Sequence, residues 1–178
     1  MRPTNVNEIA HRWILEEINS SSVVIDATVG NGKDTYFLAA HCAKVYGFDT
    51  QQKAILITKR YTACFDNIIL FLAGHENMSS YVKEVVDLVV FNLGYLPFGD
   101  PMISTLPTTT LKAIKEAGKL LKVDGSLIIT FYVGHPTGKQ EHDTFINSLS
   151  ALSEFKTQDS YTYQDRQDAP ILYHLKKI

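Results

Sequence analysis

The chain has 178 residues, 45% of them hydrophobic and 20% charged, which suits one globular domain with a sizeable core. Its formal net charge of −2 and pI near 6.3 lack the basic surplus of a strong nucleic-acid binder. No apolar run approaches a membrane span, MRPTNVNEIAHRW holds no apolar signal core, and Cys42 and Cys64 have no metal-ligand spacing, so a cytoplasmic protein with structural thiols is expected.

Taken in chain order, residues 5–19 carry an apolar stripe at Val6, Ile9, Ala10, Trp13, Ile14 and Ile18, the mark of an amphipathic helix that Thr4 or Asn5 can cap. VVIDAT (23–28) predicts a strand, DTYFLAAHC (34–42) a helix, KVYGFD (44–49) a strand and QQKAILITKRYTA (51–63) a helix. IILFLA (68–73) predicts a strand, GHENMSSYV (74–82) a loop and VDLVVFN (86–92) a buried strand. TTTLKAIKEAGKLLK (108–122) predicts a helix with threonines at its cap and lysines toward its C-terminus, where the helix dipole favours them. A turn at 122–125 leads to the strand SLIITFYV (126–133), the helix KQEHDTFINSLSAL (139–152) and two final strands, FKTQDSYTY (155–163) and ILYHLKKI (171–178).

Alternating strands and helices imply a parallel sheet covered on both faces, and two consecutive final strands imply an antiparallel hairpin. The expectation is one α/β domain over residues 1–178: Rossmann-like, with a seven-stranded, mostly parallel sheet, a C-terminal antiparallel hairpin and helices on both faces. By analogy this is the arrangement of the class I S-adenosylmethionine-dependent methyltransferases.

Ligands of open α/β sheets bind beyond the carboxyl ends of the strands. The first strand runs into DATVGNGKDT (26–35), where Gly30 and Gly32 mark a strand-to-helix turn able to approach a ligand, although Thr35 stands where a dinucleotide fingerprint has its third glycine. Asp49 ends the second strand, 19 residues after Gly30, where an acid can accept hydrogen bonds from ribose hydroxyls or cap the next helix; Gln51 can add a contact. His75, in GHEN after the third strand, is a candidate to bracket an adenine ring or is simply a solvated loop residue. The short chain favours a methyl donor, S-adenosylmethionine, over NAD, since it leaves no room for a second substrate domain.

The fourth strand ends in NLGYLPFGD (92–100). In many amino-group methyltransferases this position carries Asp or Asn, two prolines and an aromatic residue. Here Asn92 and the Leu93 carbonyl can accept hydrogen bonds from an amine and aim its lone pair at a methyl group. Tyr95 can stack on an extruded base, and Gly94 in place of proline suggests a more flexible loop; the plain alternative is a tight turn with an aromatic lid. Asp100, or His135 in VGHPTGKQE (133–141), is a candidate proton acceptor, with a loop histidine before Pro136 as the alternative.

DATVGNGKDT, YGFDTQ, GHEN, FNLGYLPFGD, TTTLKA and GHPTGKQE, in that order over residues 26–141, resemble a bacterial family once labelled rRNA methylases, whose members act as tRNA 5-(aminomethyl)-2-thiouridine methyltransferases. The resemblance implies methyl transfer from S-adenosylmethionine to the aminomethyl nitrogen of the wobble uridine at position 34. It also implies that Asn31, Asp34, Asp49, Gln51 and His75 line the cofactor site. The chain departs from the family pattern at Phe98-Gly99, where two glycines are usual, and in GHPTGKQE, where GHPGGKEE is common. A tRNA anticodon partner needs a basic face. Lys112, Lys115, Lys119 and Lys122 share one helix side, with Lys53, Lys59, Arg60 and Lys139 elsewhere, and a homodimer could pool such patches. Other readings are a methyltransferase of rRNA, of a small amine or of a protein, a short NAD enzyme, and a nucleotide-binding module without catalysis.

Overall fold

A computed structural model describes residues 5–94, 105–166 and 168–178. Seven strands form one sheet in the order β3-β2-β1-β4-β5-β7-β6. The strands are β1 (Val23–Asp26), β2 (Lys44–Asp49), β3 (Ile68–Leu72), β4 (Val86–Leu93), β5 (Leu121–Phe131), β6 (Phe155–Thr162) and β7 (Ile171–Lys177). β7 runs antiparallel between β5 and β6, and the remaining pairs are parallel. The helices are α1 (Val6–Glu17), α2 (Lys33–Ala39), α3 (Gln52–Tyr61), α4 (Met78–Tyr81), α5 (Pro107–Leu120) and α6 (Pro136–Ser148). Among the described residues no helix is long and apolar enough to cross a membrane.

Side chains alternate across a strand, so each central strand feeds two cores. Ile25, Val89, Phe91, Leu127, Ile129 and Phe131 pack with Ala113, Ile114 and Ala117 of α5 and Phe145 of α6. Val24, Leu88, Val90 and Ile128 face the other way, toward Ile9, Trp13 and Ile14 of α1 and Leu38 of α2. Asn5 caps α1: its Oδ1 accepts from Glu8 N at 3.0 Å and its Nδ2 donates to Glu8 Oε1 at 3.2 Å. At the other end of α1, Glu17 accepts from Ser126 Oγ on β5 at 2.8 Å and from Lys176 Nζ on β7. These contacts fix α1 across the sheet.

Four local expectations change. Residues 74–82 form a one-turn 3-10 segment and α4 rather than a loop, because Met78 and Val82, four apart, are both buried in the core. Leu106, not a threonine, precedes Pro107 at the start of α5; Thr109 Oγ1 instead donates to Leu106 O at 3.0 Å. The turn expected at 122–125 lies inside β5, as an irregularity where pairing with β4 shifts between Val86 and Leu88. α6 begins at Pro136, since the His135 side chain caps it by accepting from Gly138 N.

Candidate active site

The carboxyl ends of β1, β2 and β4 lie side by side, and the 26–32 turn is held to its neighbours by hydrogen bonds. Asn92 N donates to Thr28 Oγ1 at 2.7 Å, Gly30 N donates to Asp49 Oδ2 at 2.9 Å, and Thr58 Oγ1 donates to Gly30 O at 3.3 Å. Asp49 Oδ1 also accepts from Gln51 N at 2.8 Å, so this carboxylate joins the first two strand-end loops. Gln51, not Asp49, is the N-cap residue of α3. Burial raises the Asp49 pKa, against the pull of its backbone donors. A carboxylate has about four lone-pair positions, and the backbone of Thr50 also bonds this one, so one more hydrogen bond can reach it.

Gly32 has φ of +79°, and a Cβ there would lie 2.7 Å from Thr58 Oγ1 and 2.9 Å from its Cγ2. Only glycine fits this approach between the turn and α3. The third fingerprint glycine is absent because Thr35 is used otherwise. It is fully buried and its Oγ1 donates to Asp26 Oδ2 at 2.6 Å, while Asp26 Oδ1 accepts from Thr28 N at 3.1 Å. Burial, and next the charge of Asp34, push the Asp26 pKa up to about 7. His75 is buried rather than solvated. Its Nδ1 donates to Ala27 O at 3.2 Å, its ring meets Phe91 edge-on, and burial lowers its pKa, favouring the neutral ring. Asn31 and Gln51 are half-buried at the loop mouths.

Asp34 stands between two partners. Its Oδ1 meets His11 Nε2 of α1 at 2.7 Å, and its Oδ2 accepts from Asn92 Nδ2 at 3.1 Å. The His11 ring stacks on Phe37 with centroids 3.7 Å apart and planes 5° from parallel. Tyr132 lies beside this group: its hydroxyl donates to Asn7 Oδ1 at 3.2 Å, and burial followed by the Asp34 charge raises its pKa. Because Asn92 gives its amide N–H to Asp34, its Oδ1 is the acceptor end. That atom is buried and meets no donor among the described residues.

Gly94 follows at φ +151°, and its N donates to Thr105 Oγ1 at 3.1 Å. Proline fits neither that φ nor a donor role, so glycine here serves a fixed geometry rather than flexibility. His135 accepts from Gly138 N at its Nδ1 at 3.0 Å, so the neutral ring carries its hydrogen on Nε2. Tyr95, Phe98 and Asp100 lie outside the described residues. The α5 lysines do not gather at the site. The helix starts beside Gly94 and ends at the first residues of β4 and β5, where Lys119 pairs with Glu116 and Lys122 with Asp87.

Residues 45–176 match the family described as "Putative rRNA methylase". The chain belongs to this methylase family. A solved structure from Clostridium thermocellum carrying the same description is 35% identical over 100% of both chains, with a TM-score of 0.94. A Streptococcus mutans protein solved in complex with SAH is 34% identical over 99% of each chain, with a TM-score of 0.89. The fold is thus the Rossmann-like one of S-adenosylmethionine-dependent methyltransferases. The chloroplastic tRNA (mnm(5)s(2)U34)-methyltransferase of Arabidopsis thaliana is 37% identical over 153 residues, 75% of this chain and 55% of that protein. The chain therefore spans about half the length of that relative.

Sequence reasoning missed His11, Asp26, Thr28, Thr58 and Tyr132. Asp26 had a local signal, a lone carboxyl ending an apolar strand. His11 had none, since it reaches Asp34 across 23 residues from a helix that reads as ordinary core packing.

Proposed function

We propose that this family member transfers a methyl group from S-adenosylmethionine to the 5-aminomethyl nitrogen of wobble 2-thiouridine (position 34) in tRNA, giving 5-methylaminomethyl-2-thiouridine. The observation that carries the amine acceptor is the Asn92 amide at the end of β4: its N–H is given to Asp34, and its buried oxygen meets no donor among the described residues. An unmet buried acceptor costs about 1–3 kcal/mol, which an incoming N–H donor recovers. The tRNA assignment rests on the Arabidopsis thaliana relative.

S-adenosylmethionine supplies a methyl group on a cationic sulfur; the nitrogen–carbon bond forms as the carbon–sulfur bond breaks, and sulfur keeps the electron pair. Gly30, Asn31, Gly32, Asp34, Asp49, Gln51, His75 and Asn92 are assigned to the cofactor side, with the remaining lone pair of Asp49 accepting from a ribose hydroxyl. Asn92 Oδ1 and the Leu93 carbonyl hold the acceptor amine, and alignment of its lone pair is the main catalytic contribution of the chain.

An alkylammonium must lose a proton before it attacks. Asp34 is the carboxylate touching the Asn92 amide, and the part-exposed His11 behind it leads toward solvent. We therefore assign proton uptake to Asp34 rather than to His135, whose Nδ1 would have to leave Gly138 N to take a proton. His135 then acts as cap of α6 and as an N–H donor beside Gly94. Tyr95 is assigned the stack on the uracil ring from its sequence position alone. Surface lysines pooled in a cytoplasmic homodimer would complete the anticodon-arm contact.

Nucleoside mass spectrometry of tRNA from a deletion strain tests the reading. Loss of 5-methylaminomethyl-2-thiouridine with accumulation of the aminomethyl precursor is expected, and normal levels of the methylated nucleoside sink the tRNA assignment. Asn92→Ala should lower turnover at least about tenfold, and by more than it weakens S-adenosylmethionine binding, in proportion to one lost orienting hydrogen bond of about 1.5 kcal/mol or more.

A further inference from the structure

Glu141, in the second turn of α6, is 1% exposed and has no salt-bridge partner among the described residues. Its oxygens meet threonine hydroxyls instead: Thr110 Oγ1 donates to Oε1 at 2.6 Å and Thr105 Oγ1 to Oε2 at 2.7 Å. Thr105 is itself bonded twice to the end of β4. Its Oγ1 accepts from Gly94 N at 3.1 Å, and its N donates to Gly94 O at 3.1 Å. The donors run one way, from Gly94 N–H to the Thr105 hydroxyl and from that hydroxyl to Glu141. A chain of this polarity ends in a group that only accepts, and a carboxylate is such a group. Burial raises the Glu141 pKa while both hydroxyls oppose the rise. A buried ion without a counter-charge costs stability that an apolar side chain of similar length does not. The fold carries that cost at a carboxylate whose threonine partner holds Gly94, two residues beyond Asn92.

We propose that Glu141 is a positioning residue for the end of β4: by holding the Thr105 hydroxyl it locks Gly94, and with it the direction in which Asn92 and the Leu93 carbonyl are presented. The lock stands on hydrogen bonds alone, and only its consequence for turnover rests on the amine-acceptor reading.

The test uses the full chain carrying Glu141→Met, which removes the acceptor at similar length, and Thr105→Val, which removes the hydroxyl but keeps the backbone N–H. Amide hydrogen exchange at Gly94 and Thr105 without substrate reads the lock directly. S-adenosylmethionine titration, melting temperature and turnover are measured alongside. In each variant Gly94 should exchange at least about tenfold faster and turnover should fall at least about tenfold, with cofactor affinity within about twofold. Glu141→Met should melt at or above the parent temperature, and the double variant should be no worse than the worse single one. Unchanged Gly94 exchange overturns the lock. Faster exchange with parental turnover, or a turnover loss matched by equal losses in melting temperature and cofactor affinity, overturns the positioning role. A parent chain inactive on the tRNA amine defeats the functional reading instead, while the exchange measurement still decides the lock. If Glu141→Met does not fold, Thr105→Val decides alone.

Discussion

Asp26→Asn should make the stability of the protein less dependent on pH. The Asp26 carboxyl is 1% exposed at the end of β1, and its pKa rises from 3.8 to about 7, chiefly through burial and next through the charge of Asp34. A raised folded-state pKa means that the folded chain binds the proton more tightly than the unfolded chain. The stabilisation is fully present below 3.8 and is lost as the pH rises through about 7. Each pH unit in that interval costs about 1.4 kcal/mol, so the whole interval has a ceiling of about 4 kcal/mol, comparable with losing a large core side chain. Asparagine keeps both contacts, since its oxygen accepts from Thr28 N and its amide donates to the Thr35 hydroxyl, and it carries no charge. Urea unfolding followed by circular dichroism at pH 5, 6, 7 and 8 is the assay. The parent should lose stability across this range relative to Asp26→Asn, and the variant should be the more stable at pH 8. Parallel stability profiles, or a variant less stable at pH 8, would refute the reasoning.

Asp49→Ala removes the link between the first two loops and the ribose acceptor, so calorimetry should show S-adenosylmethionine binding weakened at least about tenfold; parental affinity contradicts the ribose role. Gly32→Ala places a Cβ 2.7 Å from Thr58 Oγ1 at a φ of +79°. Thermal melting should show a loss above the roughly 1–2 kcal/mol of the left-handed conformation alone. Adding Thr58→Ala should recover the clash but not the backbone strain. His11→Phe keeps a ring on Phe37 but drops the contact to Asp34, so turnover should fall and its pH profile should move while cofactor affinity holds. An unchanged profile would remove His11 from proton handling.

Where a feature is local, the sequence shows it. Lys44–Asp49 reads as a strand with its observed bounds, because an apolar run ends in an acid. Gly30, Asp49 and Asn92 could be placed at adjacent strand ends because alternation alone dictates a parallel sheet. Thr35 and Gly94 were visible as departures from pattern, yet their reasons are tertiary: one hydroxyl reaches a buried carboxyl, and one amide reaches a threonine beyond residue 104. Residues 74–82 read as a loop because one turn of helix is too short to show a period, and only the core around Met78 settles it. Lys112, Lys115 and Lys119 lie on α5, but Lys122 falls in β5 beyond the helix end, and spacing along a helix cannot say where it stops or toward which end of the sheet it runs.

The attachments of α1 bear on the order in which the site matures during synthesis. This helix leaves the ribosome before the strands it rests on, and Glu17 finds Lys176 only 159 residues later, when β7 has emerged. Until then α1, which carries His11 to Asp34, rests on β1, β4 and β5 and on Ser126 without this last anchor. A nascent chain can form the 26–32 turn, held by Asp49, Thr58 and Asn92, well before α1 gains its anchor on β7. The order of emergence therefore places the turn at the end of β1 before the final anchoring of the helix that reaches Asp34.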